Sequence, residues 1–169
     1  MRVVVLHKKS NYFSRHNGLL WLWLSIFIVI IDQLSKAAVM EHLMPGESIE
    51  WLPFFNINLA YNSGAAFSFL GGQSGWQMPF ISIIVIVVVV ILLVWLSKLQ
   101  RREYLLCISL SLIIGGAIGN LIDRLRLSFV VDFLDFHVNT WHFATFNVAD
   151  AAITVGAILL IIKFFYKNS

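Results

Sequence analysis

The stretch MPFISIIVIVVVVILLVWL, residues 78–96, carries no charged side chain from end to end. As a helix rising 1.5 Å per residue it reaches across the ~30 Å hydrocarbon core of a bilayer. A helix also satisfies its own backbone donors and acceptors, which lipid cannot do for it. Working outward, three further apolar segments have a comparable reach, and the four expected spans are Leu19–Val39, Met78–Leu96, Tyr104–Leu121 and Val148–Phe165. The first is not a removable signal peptide. It is too long for an h-region, ends in Asp32 and Lys36, and lacks a small-residue cleavage site.

Composition agrees. Of 169 residues, 59% are hydrophobic and 12% are charged, where a soluble domain has roughly a quarter charged. The expectation is an all-α integral membrane protein. It divides into a basic N-terminal tail, residues 1–18, and one four-span domain, residues 19–166. Nucleic acid is not an expected partner, because the basic residues form no aromatic-studded patch. They report sidedness instead. Arg2, Lys8, Lys9 and Arg15 precede span one, Lys98, Arg101 and Arg102 fill the loop between spans two and three, and Lys163 and Lys167 close span four. The positive-inside rule makes that side, and both termini, cytoplasmic. Every acid except Glu103 falls in or beside the opposite, outer segments, about 40–77 and 122–147. Segments that long usually carry structure or function of their own. In the first, FFNINLAYN alternates Phe55, Ile57, Leu59 and Tyr61 with smaller or polar residues between Pro53 and NSG, a strand pattern.

Side chains that oppose insertion gather at the outer span ends: Asp32 and Lys36, Asn62, Asn120, Asp123 and Arg124, Asp132, Asn147 and Asp150. Positions 120, 123 and 124 share a helix face by the i, i+3, i+4 rule. Asp32 and Lys36 read as an ion pair or as substrate contacts, and Asn147 as a helix N-cap or a site residue. Asp132 is harder to treat as solvated, since SFVVDFLDF sets it among apolar and β-branched neighbours. If the fold joins Asp132 to Asp150, the two cannot both ionise cheaply, and they meet the requirement for aspartic proteolysis. A proton relay or salt-bridged acids are the alternatives. His137 and His142 lie near Asp132 and Asp135, but HVNTWH lacks the one-turn ligand spacing of hydrolytic zinc sites. Ser35 beside Lys36 suggests a Ser–Lys pair, although i and i+1 diverge on a helix. Cys107, the one cysteine, reads as a small core residue.

DQLSK (32–36), YNSGAAFSF (61–69), GGAIGNLIDRL (115–125), VVDF (130–133) and FNVADAAITVG (146–156) occur in an order that resembles the bacterial lipoprotein signal peptidases, the type II signal peptidases. The resemblance implies four transmembrane helices with a small extracytoplasmic β-sheet cradle, in the bacterial cytoplasmic (inner) membrane with the site at its outer face. It implies an aspartic endopeptidase whose catalytic pair corresponds to Asp132 and Asp150. Asn62, Asn120, Arg124 and Asn147 match polar positions lining the family's site; Asp123, Asp32 and Lys36 match supporting ones. The implied substrates are prolipoproteins cut before a diacylglyceryl-modified cysteine, with membrane lipid and globomycin-type inhibitors as further partners and no metal or organic cofactor. NVAD departs by carrying Val where Leu is common in the family, and Asp135 is an additional acid that either perturbs Asp132 or faces water. A small transporter or proton-coupled carrier is the rival reading; it predicts midplane sites and inverted repeats, whereas these acids lie at one edge of a chain without a repeat.

Overall fold

A computed structural model describes residues 18–64 and 76–166. The basic tail before residue 18, Lys167, and residues 65–69 of the YNSGAAFSF motif lie outside the described residues. A 3-10 turn, Gly18–Trp21, leads into α1 (Leu22–His42). There follow β1 (Ser48–Leu52), β2 (Phe55–Asn62), α2 (Gln77–Lys98), α3 (Tyr104–Leu127), β3 (Val130–Val138), β4 (Trp141–His142) and α4 (Val148–Tyr166). All four helices are long and apolar enough to cross a membrane. Half of the α3 span is buried, against 17% of each of the others, so α3 is the central helix and the other three face outward around it. Their exposed faces are rows of large apolar side chains, such as Phe80, Ile83, Val87 and Ile91 on α2, which suit lipid and not water.

Small residues let the helices close on α3. A Cβ at Gly115 would stand 2.9 Å from the Ser25 carbonyl oxygen of α1, and one at Gly116 would collide with the Ala149 carbonyl oxygen of α4. The Gly119 position lies against Asp32, where a Cβ would come within 2.6 Å of its carboxylate. Close approach of this kind replaces the hydrophobic drive that lipid removes. The Ser25 hydroxyl adds a 2.7 Å hydrogen bond to the Ser111 carbonyl, and Leu96, Cys107, Leu110 and Ile114 fill the core where α2 meets α3. Cys107 is buried there, as the small core residue expected.

The strands form one antiparallel sheet in the order β1-β2-β3-β4, at the end of the bundle where α1 and α3 finish and α2 and α4 begin. Two expectations shift in detail. First, α3 continues past Leu121 to Leu127 and stops where Ser128 takes the left-handed conformation (φ 64°), so Asp123 and Arg124 are helical. Second, the β2 alternation changes phase. A bulge between Ile57 and Ala60 leaves Asn56 and Leu59 as the buried positions rather than one continuous row from Phe55 to Tyr61. Leu59 packs with Leu43 and Val131 beneath the sheet.

The closeness of α3 and α4 is testable through Gly116, where the obstruction is backbone and cannot swing aside. Gly116→Val is expected to lower folded-state stability by about 1–3 kcal/mol, read as a lower unfolding temperature in detergent. An unchanged midpoint would contradict this packing.

Candidate active site

The N-terminus of α4 is built first by local chemistry. Asn147 caps it: its side-chain oxygen accepts the Asp150 backbone N–H at 2.9 Å, while a carboxylate oxygen of Asp150 accepts the Asn147 N–H at 3.3 Å. This reciprocal arrangement is a capping box with Asp in the third helical position. A third donor, the Ala149 N–H, is taken by Asp32 Oδ1 of α1 at 2.9 Å. The helix dipole at this end favours the Asp150 carboxylate. Asn147 is therefore the cap, and its Nδ2 also reaches Asp132 Oδ1 at 2.7 Å.

Behind the cap lies a buried cation. Lys36, 1% exposed, places Nζ 2.8 Å from Asp32 Oδ2, 2.8 Å from Asp123 Oδ2 and 2.9 Å from Asn120 Oδ1. Three donors meet three acceptors. Asp123 in turn accepts from Gln33 Nε2 at 2.8 Å and from the Val131 N–H at 3.2 Å, which ties the start of β3 to α3. Asn120 spends its remaining polarity on Asp150, with Nδ2 donating to Oδ1 at 2.7 Å.

Asp132 sits on β3 at 3% exposure. Its two oxygens accept from Asn147 and from Asn62 Nδ2, the latter at 2.9 Å from the neighbouring strand. The Asn62 side chain is set by its own turn, since its oxygen accepts the Gly64 N–H at 2.9 Å. Burial pushes the Asp132 carboxyl up to about 6, with the negative charge of Asp150 adding to the effect; the hydrogen bonds from Asn62 and Asn147 and the Lys36 charge oppose it. Arg124, half-buried, stands within electrostatic reach of Asp150, Asp123 and Asp132. Among the described residues its guanidinium makes no hydrogen bond.

The structure thus brings all nine sequence-predicted residues into one polar layer. It also sorts them by access. Asp32, Lys36, Asn120, Asp123, Asp132 and Asn147 are buried, whereas Asp150 and Arg124 are partly open and Asn62 is exposed. Lys36 and Asp32 accordingly form an ion pair within a cluster, and both are buried. Ser35 is no nucleophile paired to Lys36: its hydroxyl donates to the Asp32 carbonyl at 2.9 Å. Asp135 does not face water. It is 3% exposed and held by Asn56 Nδ2 at 3.3 Å and His142 Nδ1 at 2.9 Å. Three residues on from Asp132 along a strand, it points to the opposite face of the sheet. Among the described residues, no three His, Cys, Asp or Glu side chains are grouped to hold a metal ion. Sequence reading missed Gln33, Asn56 and His142 as partners of these acids. Gln33 sits inside the DQLSK stretch, but its contact is with another helix, which no local pattern reveals.

Four spanning helices around a carboxylate- and amide-lined layer at one end define a multi-pass membrane protein with a candidate hydrolytic site. The model of the signal peptidase (SPase) II family matches residues 24–166, and the chain belongs to that family. A lipoprotein signal peptidase of Coxiella burnetii (strain Dugway 5J108-111) is 56% identical over 142 residues, which cover 84% of this chain and 87% of the relative. That of Yersinia enterocolitica (serotype O:8 / biotype 1B, strain NCTC 13174 / 8081) is 51% identical over 148 residues, 88% of each chain. A solved bacterial membrane enzyme structure, obtained by the in meso method at 1.9 Å resolution, superposes with a TM-score of 0.79 at 34% identity, covering 89% of this chain and 96% of that one.

The raised Asp132 carboxyl gives a spectroscopic expectation. A carboxyl infrared band should be present below pH 6 and disappear as pH rises through about 6, well above the ~4 of an ordinary aspartate. Asp132→Asn should abolish that titration. A protein whose carboxyls all titrate in the ordinary range would contradict the buried placement.

Proposed function

We propose that this chain is a membrane aspartic endopeptidase that removes signal peptides from prolipoproteins, cutting before the diacylglyceryl-modified cysteine. The observation that carries the reading is the linkage of Asp132 and Asp150 through one side chain, Asn147, at the edge of the spanning helices. Two carboxyls so joined, one raised by burial and the other at a helix N-terminus, supply an acid and a base from the same residue type. Family membership and the names of the relatives support the substrate class.

In the proposed reaction, ionised Asp150 takes a proton from water as the water oxygen attacks the scissile carbonyl. Protonated Asp132 gives its proton to the carbonyl oxygen, forming a neutral tetrahedral diol. Collapse returns a proton from a diol hydroxyl to Asp132 and passes the proton held by Asp150 to the leaving amine, which restores both groups. No bond forms between enzyme and substrate. Arg124 and the exposed Asn62 amide stand where they can orient peptide carbonyls and the developing oxyanion.

The substrate's signal helix would lie against the apolar faces of the spans with its acyl chains in the bilayer, leaving only cleavage-site backbone to enter the polar layer. Lys98, Arg101, Arg102 and Lys163 lie at the opposite ends of the helices from the site, which supports an outer-face site and cytoplasmic termini in the inner membrane. Globomycin-type inhibitors are expected to compete for the same layer.

Asp132→Asn and Asp150→Asn each keep side-chain size and remove the ionisable group. Each is expected to slow processing of a lipid-modified precursor in detergent by at least about 100-fold while leaving the protein folded. Wild-type processing by either variant would sink the assignment.

A further inference from the structure

We propose that Lys36, buried behind the two carboxyls, is a positioning residue for the chemistry: through the Asn120 amide it fixes a donor on Asp150 and so the orientation of that carboxyl. The inference rests on the dyad reading above. It starts from a property of asparagine. An amide side chain can present oxygen or nitrogen to either neighbour, and shape alone does not choose between them. Lys36 chooses. An ammonium has three donors and no acceptor, so the Asn120 atom 2.9 Å from Nζ must be the oxygen. Nδ2 is then turned to Asp150 Oδ1 at 2.7 Å and can only donate to it.

Asn147 is oriented by the same logic. The Asp150 backbone N–H needs an acceptor and takes Asn147 Oδ1 at 2.9 Å, which turns Asn147 Nδ2 toward Asp132 and toward Asn120 Oδ1 at 3.2 Å. Asn120 therefore points from Lys36 to Asp150, while Asn147, set by the Asp150 N–H, donates to Asp132 and to the same Asn120 oxygen. A cation at the head of such a chain polarises the amide and strengthens its far hydrogen bond. Asp150 so receives Asn120 Nδ2 on one oxygen and the Asn147 N–H on the other, both donors. The charged groups around it are Arg124 of α3 and Asp132 of β3, with Lys36 and Asp32 of α1 and Asp123 of α3 behind Asn120.

The test separates the directed amide from bulk charge and from folding. Lys36→Met with Asp32→Asn removes one positive and one negative charge together, and Asn at 32 keeps an oxygen for the Ala149 N–H. The detergent-purified double variant, with a lipid-modified precursor as substrate, is expected to lose roughly tenfold or more in kcat with KM within about twofold. Loss of structure alone would lower the folded fraction and leave kcat per folded molecule unchanged. Asn120→Asp keeps an oxygen for Lys36 but sets a second oxygen against Asp150, and it should show the same loss of kcat with KM retained. A folded double variant with wild-type kcat overturns the proposal; should that variant not fold, a wild-type kcat in Asn120→Asp overturns it. An active Asp150→Asn enzyme instead overturns the dyad reading itself, so the two failures are distinguishable.

Discussion

A lysine ammonium buried to 1% exposure at the edge of a membrane bundle is the constraint on which the rest of this molecule depends. Such a charge is tolerable only when its partners are in place, and removing a partner from a buried pair costs about 3–5 kcal/mol. Lys36 meets the requirement with Asp32 of α1 and with Asp123 and Asn120 of α3. Each of these then reaches onward, Asp32 to the Ala149 N–H of α4, Asp123 to the Val131 N–H of β3, and Asn120 to Asp150. One cation therefore joins three helices and the strand that carries Asp132. The glycines serve the same end, since Gly116 and Gly119 let α4 and Asp32 come close enough for these bonds to form.

The result is a polar layer graded by access. At its centre Lys36, Asp32, Asp123 and Asn147 are buried and hydrogen-bonded to other groups of the protein. At its margin Asp150, Arg124 and Asn62 are open. Asp132 lies between, buried yet joined to the margin through Asn62 and Asn147. A rigid interior behind one buried and one partly open carboxyl is the arrangement expected of a site preorganised to act on a peptide bond that approaches from lipid.

Much of this was legible in the sequence, for identifiable reasons. Spans such as Met78–Leu96 are dictated by backbone satisfaction in lipid, which acts locally and leaves a long apolar run. The candidate site residues were visible because a polar group in an apolar setting is conspicuous: Asp132 within SFVVDFLDF and Asp150 within FNVADAAITVG stand out from their neighbours. The choices left open were tertiary ones. Whether Lys36 met Asp32 alone or met substrate depended on Asp123 and Asn120, which belong to another helix. Asn147 as cap did not exclude a bond to Asp132, because one amide has two ends and uses both. The bulge in β2 and the Asp135–His142 pair were hidden for the same reason. Strand phase depends on the partner strand, and a buried acid on whichever side chain happens to face it.

The central claim is that Asp132 and Asp150 act together on one reacting carbon. The most direct measurement is an experimental structure of the chain with a non-cleavable lipopeptide whose scissile carbonyl is replaced by a hydroxyl-bearing carbon. This hydroxyl should sit between the two carboxyls, within hydrogen-bond distance of both, with the acyl chains outside the polar layer. A bound lipopeptide whose hydroxyl touches neither carboxyl, or only one, would contradict it.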